Sequence, residues 1–285
     1  MKKGILYIAT GSEYIQEAKR SAQYVRSVVD YPIAIVTDQQ VEDHIFDEVI
    51  IDPDPRNTYI DKPRNLGRTP FENTIFIDTD AYIINDIGEL FDLLEFVDLA
   101  AVVDPNEDAL RLMNERYYDT LPESIPEYNT GMIVYSSAAV NNGFFQRWEE
   151  NYSQDHSQDQ ISFRKTIAET DLQFSSLSNV YNCLIDWPIQ VTGEVKILHD
   201  ISRKLTSENI EDVKNRINKS TEPRILYSGQ DRVVYPLSEF GNKIAYILYT
   251  YNIFNYNIIN NSVKAIRSVC DNGIITTLHK VKKNL

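Results

Sequence analysis

Short apolar runs that end in polar residues, with helix-patterned segments between them, constrain this chain most. "GILYIAT" (4–10), "PIAIVTD" (32–38), "EVIIDPDP" (48–55) and "TIFIDTD" (74–80) each carry only enough apolar residues for one buried strand. Between the first two, "SEYIQEAKRSAQYVRSVV" places Ile15, Ala18, Ala22, Val25 and Val29 at helical spacing behind a serine. Strand and helix signals continue to alternate. "IGELFDLLEFV" (87–97) reads as a helix, "DLAAVVD" (98–104) as a strand, 106–118 as a helix and "TGMIVYS" (130–136) as a strand. "NNGFFQRWEENY" (141–152) and "DQISFRKTIAET" (159–170) read as helices, and "GEVKILHD" (193–200) and "RILYSG" (224–229) as late strands. Residues 56–70 read as a loop or irregular helix, and 201–219 are rich in helix formers. Alternation of this kind predicts an α/β fold, Rossmann-like, with a mostly parallel central sheet flanked by helices.

The chain of 285 residues is long enough to bury a substantial core and shows no internal repeat. Its net charge of −14 argues against nucleic acid as a partner, since phosphate neutralisation needs a basic surface. Two cysteines, Cys183 and Cys270, make no disulfide framework and favour a reducing compartment, hence the cytoplasm. No apolar stretch approaches the roughly 20 residues needed to span a bilayer. The charge is uneven: residues 241–285 hold six Lys or Arg against one acid, a tail of +5, which leaves −19 on the remainder. We therefore expect a main domain over 1–235 and a basic, aromatic, helical C-terminal region over 236–285. That region either packs on the body or lies at a membrane surface as a peripheral contact.

The stretch "NTIFIDTDAYIIND" (73–86) sets Asp78 and Asp80 one residue apart at the end of a strand. Residues i and i+2 of a strand share a side, so both carboxylates can converge on one cation at the sheet edge where ligands of open α/β sheets sit. Carboxylate oxygens suit Mg²⁺ or Mn²⁺, ions that also grip phosphates. An EF-hand loop fits Asp78, Asp80 and Glu89 but has Ile83 where the turn needs glycine. An aspartyl-phosphate phosphatase needs its nucleophile on the first strand, and here three strand signals come earlier.

Five segments in order, "TPFENTIFIDTDAYIINDIGELFDLL", "YNTGMIVYS", "HSQDQISFRKTI", "VYNCLIDW" and "GEVKILHD", resemble the GT-A nucleotide-sugar glycosyltransferases. The glycogenin-like and bacterial galactosyltransferase-like groups are the most similar. The resemblance runs from about residue 4 to 200. It implies a divalent cation, usually Mn²⁺, on Asp78, Asp80 and His199, holding the diphosphate of a sugar donor. Where the family often has a glycine after the histidine, this chain has Asp200. The resemblance further implies a donor site that includes Thr79, with Ala9 and Thr10 offering backbone groups to the base. Tyr14 there either stacks on the base or is a core aromatic of its helix. Lys62, Arg64 or Arg68 would lie near phosphate unless solvated in their loop. Asn129 and Gly131 would meet the donor sugar, the glycine admitting a ring close to the backbone. Asp159 and Gln160 would lie beside the reacting sugar, with Asp159 an alternative helix cap. His44, His156 and His279 have no such context.

The implied activity is transfer of a sugar from a nucleoside diphosphate donor, UDP favoured, to a hydroxyl acceptor such as a glycan or glycolipid, with retention of configuration. Two other readings stay open: a nucleotidyltransferase, although "ATGSEY" has a single glycine where such enzymes carry a glycine-rich loop, and a sugar-nucleotide or glycan-binding protein without turnover.

Overall fold

The computed structural model describes residues 2–42, 44–105, 121–122, 124–152, 159–186, 189–228 and 234–236. The expected helix over 106–118, His156, His279 and the basic C-terminal region beyond residue 236 lie outside them. The chain divides into two compact units, Met1–Leu184 with Val195–Arg203, and Ile185–Glu194 with the residues from Lys204 onward.

In the first unit, β1 (Lys3–Ala9), β2 (Ile33–Thr37), β3 (Glu48–Ile51), β4 (Asn73–Ile77), β6 (Leu99–Val103), β7 (Tyr128–Ser136) and β8 (Phe174–Leu177) form one sheet. Their order is β3-β2-β1-β4-β7-β6-β8. Only β7 runs against its neighbours, so the sheet is mostly parallel, as the alternating pattern predicts. The strand period of two divides each run between two cores. Ile5, Tyr7, Ala9, Ile33 and Ile35 face one side, covered by Ile15, Ala18, Ala22 and Val25 of α1 (Ser12–Val28). Leu6, Ala34 and Val36 face the other, where they join Leu66, Phe144, Phe145, Trp148 and Phe163 from the helices of that layer. Burial on both faces explains why these strands read as unbroken apolar runs.

Two local departures from the sequence reading shape the site. Strand β4 stops at Ile77, and Asp78-Thr79-Asp80 is a turn leading into β5 (Ala81–Ile83), closed by the Ala81 amide donating to the Asp78 carbonyl at 3.0 Å. Turn geometry, not strand alternation, brings the two carboxylates together. Strand β7 is bulged: Ala101 pairs with Ile133, but Val102 pairs with Asn129, so Thr130, Gly131 and Met132 are looped out of the β6 ladder. The bulge re-aims β7 beside the turn, with the Asp78 amide donating to the Gly131 carbonyl at 2.8 Å.

A second sheet in the same unit, β5-β11-β9, joins β5 antiparallel to β11 (Ile197–His199), which runs parallel to β9 (Cys183–Leu184). His199 stands opposite Ala81, and the Asp200 amide donates to the Asp80 carbonyl at 3.0 Å. In the second unit, β10 (Ile189–Val191), β12 (Arg224–Ser228) and β13 (Val234–Pro236) make an antiparallel sheet. The helix Ile210–Ile217 there buries Ile210, Val213 and Ile217.

Candidate active site

Asp78, Asp80 and His199 meet at the C-terminal edge of the main sheet, with one ligand atom from each lying within 4.8 Å of the others. His199 Nε2 is 3.2 Å from Asp80 Oδ1. Its ring packs against Gly131, where a Cβ would come 2.2 Å from Cε1 and 2.6 Å from Nδ1. Two carboxylates and an imidazole are a donor set that suits Mn²⁺ and accommodates Mg²⁺. The bare backbone at Gly131 is what lets the imidazole reach the turn. In this structure the space that a Gly131 side chain would take is filled by the His199 ring, while Gly131 itself still lines the cleft.

Burial works against charge on His199, but Asp80 beside it and then Asp78 together outweigh burial and raise its pKa above the ordinary 6.5. For Asp80, burial pushes upward, but His199, a backbone hydrogen bond and Lys62 together outweigh it, so its carboxyl stays below the usual range. Asp78 is pushed up, first by burial and then by Asp80 and Asp159, with Lys62 opposing.

Lys62, on the helix Asp61–Leu66, is the cationic centre of the cleft. Its Nζ lies 3.1 Å from Asp78 Oδ1 and 3.2 Å from Asp159 Oδ2, and donates to the Thr130 carbonyl and hydroxyl oxygens at 3.2 Å. Burial alone would lower its pKa, but Asp159 and Asp78 together raise it, so Lys62 is a fixed positive charge. Whenever His199 is neutral, as a cation ligand must be, the carboxylates of Asp78, Asp80 and Asp159 face this one ammonium. The two negative charges left over match one divalent cation. Asp159 occupies the cap position of the helix Gln160–Glu169 without capping it. Its carboxylate is taken by Lys62 and by the Thr130 hydroxyl at 3.0 Å instead.

Behind His199 runs a buried polar chain. His199 Nδ1 is 3.0 Å from Asn182 Oδ1, and Asn182 Nδ2 donates to Asn129 Oδ1 at 2.7 Å. Asn129 Nδ2 donates to Asp104 Oδ2 at 3.0 Å, and Gln160 Nε2 donates to the same oxygen at 2.6 Å. Asn129 and Gln160 are thus joined through Asp104, at the end of β6.

Lys62, Asp78, Asp80, Asp159 and His199 line a cleft of about 1110 Å³ within the first unit, which also includes Ala9, Thr10, Tyr14, Thr79, Asn129, Gly131 and Gln160. Its volume is ample for a nucleotide-sized ligand. Ala9 ends β1 and Gly11, at φ 85°, turns the chain into α1, its amide donating to Asp38 Oδ1 at 3.0 Å. Tyr14 is 51% exposed and so is no core aromatic; the Arg203 guanidinium sits over its ring, 5.8 Å from the centroid. The structure does not bring Arg64 or Arg68 to the cleft. Arg64 pairs with Glu149 and Asp54, and Arg68 with Asp52 and the Ile51 carbonyl.

Sequence reading passed over four residues of this region. Glu17 is a buried carboxylate on α1 that accepts from the Thr79 hydroxyl and pairs with Arg203 Nε at 2.7 Å, and Arg203 in turn pairs with Glu13 at 2.6 Å. Asp104 and Asn182 complete the four. Asp104 carried a usable signal, an acid closing an apolar strand run as Asp78 does. Glu17, Asn182 and Arg203 carried none, because their partners are distant in sequence.

No family profile and no curated protein matches the chain by sequence. Solved structures do match it. The galactosyltransferase LgtC, in complex with donor and acceptor sugar analogues, aligns with a TM-score of 0.51 at 12% identity over 70% of this chain and 88% of that one. An active-site mutant of LgtC aligns at 0.50 and 13% identity, over 64% of this chain and 75% of that one. Mouse xyloside xylosyltransferase 1 gives 0.47 at 15% identity, over 72% of this chain and 100% of that one. The fold of this chain is the GT-A fold of the nucleotide-sugar glycosyltransferases.

Proposed function

We propose that this chain is a glycosyltransferase that moves a sugar from a nucleoside diphosphate donor, UDP the favoured nucleotide, to a hydroxyl acceptor. The observation that carries the proposal is the convergence of Asp78, Asp80 and His199 beside Lys62 in a cleft at the C-terminal edge of a GT-A sheet. Leaving-group charge is the costly quantity in such a transfer, and groups set in advance around it act most strongly in the transition state. Mn²⁺ or Mg²⁺ held by Asp78, Asp80 and His199 would supply Lewis-acid charge to a diphosphate.

The chain's own residues divide the remaining work. Lys62 keeps one positive charge fixed between Asp78 and Asp159. Asp159, Asn129 and Gln160, which line the cleft, offer a polar wall suited to sugar hydroxyls, and Asp104 behind them holds the Asn129 and Gln160 amides. Tyr14, exposed at the cleft beyond Ala9 and Thr10, offers a face to the base. Because Asp159 is already engaged by Lys62 and Thr130, it fits an ordering role better than that of a free general base. That favours a retaining, front-face route, which NMR of the first-formed product anomer decides.

The proposal is tested by incubating the protein with UDP- and GDP-sugars and Mn²⁺ and measuring nucleoside diphosphate release. Release that depends on Mn²⁺ and drops on the order of 10²–10³-fold in Asp80→Ala supports it. No release from any donor, or release unchanged in Asp80→Ala, sinks it. The +5 charge of residues 241–285 favours an acceptor presented at a membrane surface, a glycolipid for example. Liposome binding that disappears on deletion of 241–285 supports that part, and failure of the intact protein to bind removes it.

A further inference from the structure

The buried amide chain behind His199 has a direction, and that direction fixes where the imidazole carries its proton. The Gly131 backbone N–H, which can only donate, lies 3.0 Å from one terminal atom of the Asn129 side chain, so that atom is Oδ1. The opposite atom, Nδ2, then faces Asp104 Oδ2 at 3.0 Å, an oxygen that accepts from Gln160 as well. Rotating the Asn129 amide would set NH₂ against N–H at one end and oxygen against carboxylate at the other. Asn129 Oδ1 also lies 2.7 Å from Asn182, whose facing atom must therefore be Nδ2. Asn182 is left with Oδ1 toward His199 Nδ1, at 3.0 Å.

We infer that Asn182 is a positioning residue of the cation site: backed by Asn129 and the Gly131 amide, it holds the neutral His199 imidazole with its proton on Nδ1 and its Nε2 lone pair toward Asp80 and a divalent cation. Asp80 competes for the opposite tautomer, since its carboxylate lies 3.2 Å from Nε2. The two sides are not equivalent. The Asp80 side chain is 22% exposed to the cleft, where water or a cation relieves a lone pair facing a carboxylate. Asn182 is fully buried and cannot turn without breaking its bond to Asn129. A lone pair on Nδ1 would face an oxygen with no proton between them and no water to intervene. The ring is confined as well, its side chain only 5% exposed and packed against the Gly131 backbone.

The cation in this inference rests on the proposed function, but the tautomer does not, and the experiment separates them. Two-bond ¹⁵N–¹H correlation spectra of the metal-free, full-length protein with ¹⁵N-labelled histidine, recorded above the titration of His199, report which nitrogen is protonated. The His199 signals are those missing in His199→Ala. The expected wild-type pattern is Nδ1–H. In Asn182→Leu, which keeps side-chain bulk but removes the acceptor, the ring shifts toward Nε2–H facing Asp80, and Mn²⁺ binding read by electron paramagnetic resonance weakens about 10–100-fold. An Nε2–H pattern in the wild type overturns the inference, as does wild-type Mn²⁺ affinity in Asn182→Leu. Should that variant not fold, the wild-type spectrum decides alone. If the wild type binds no Mn²⁺, the cation site fails, while the spectrum still judges the role of Asn182.

Discussion

Gly131 leaves no room for any other residue: an added Cβ would stand 2.2 Å from His199 Cε1, and the ring is tied on one side to Asn182 and on the other to Asp80. Gly131→Ala should therefore cost about 1–3 kcal/mol of stability by overpacking, seen as a lower urea midpoint at unchanged slope. Because the displaced group is a cation ligand, Mn²⁺ affinity should fall in the same variant, whereas a loss of stability alone would show that the ring relaxes without leaving the turn. His199 also makes the metal-free protein sensitive to pH, and the sign follows from its surroundings. Burial opposes its charge, Asp80 and then Asp78 favour it, Lys62 disfavours it, and the net pKa is raised. A raised pKa means that folding stabilises the protonated ring, a contribution fully present below the ordinary value of 6.5 and lost as pH climbs through the folded value. The lowered Asp80 carboxyl stays ionised throughout that window, its own contribution fading only below the ordinary 3.8. Metal-free wild type should thus lose stability relative to His199→Gln as pH rises above 6.5, measured by urea unfolding. Mn²⁺ binding should run the opposite way and strengthen with pH, since the cation must displace the Nε2 proton.

Helix α1 does more than cover one face of the sheet. Through Glu17 it holds the hydroxyl of Thr79, the middle residue of the Asp78–Asp80 turn, and through the same carboxylate it holds Arg203, four residues past His199. One buried acid therefore ties both ligand-bearing segments to a single rigid element. Glu17→Ala removes both partners' acceptor at once and should destabilise by about 1.5–3 kcal/mol, the range for hydrogen bonds to a charged group. Mn²⁺ affinity should drop with it, and the comparison with Arg203→Ala tells whether Thr79 or Arg203 is the partner that matters to the turn. The elements themselves were legible in sequence because each obeys one local rule. Apolar runs gave β1, β2, β4 and β7, and helical spacing in "SEYIQEAKRSAQYVRSVV" gave α1. The expected helix over 87–97 shortened to Gly88–Leu93 because turn-type backbone bonds take over at Leu94 to Phe96. What no local rule could supply was the bulge at Thr130–Met132, which depends on β7 serving β4 and β6 with different registers. That bulge aligns Asn129, Gly131 and His199, so Asp78, Asp80 and His199 could be named from their motif while Asn182 and Glu17 could not.

On the scale of the chain, the site belongs to a unit that the sequence leaves and re-enters. After β9 the chain passes through Ile185–Glu194, part of the second unit, before returning as Val195–Arg203 with β11 and His199. The excursion carries β10, whose buried Ile189 and Val191 pair with Leu226 and Arg224 of β12, and β12 pairs in turn with β13. A boundary drawn from composition at 235 follows the change from an acidic to a basic chain, a signal that this interleaving does not alter. The interleaving does make the position of a truncation consequential. A chain ending after Arg203 would keep every residue of the cleft but leave β10 without its partner strand, exposing both apolar side chains and an unpaired edge. A chain ending after Pro236 keeps the β10-β12-β13 sheet whole. We expect the longer product to remain soluble, to unfold in one cooperative transition and to release nucleoside diphosphate at close to the full-length rate with Mn²⁺. The shorter one should aggregate or melt at lower temperature. A cation that binds only the folded state raises the melting temperature in proportion to the logarithm of its concentration over its dissociation constant. Mn²⁺ should therefore stabilise the 1–236 chain as much as the full-length protein. A Mn²⁺ shift that vanishes on removal of 237–285, in a chain that still folds, would place part of the cation site in the C-terminal region and refute the assignment to Asp78, Asp80 and His199 alone.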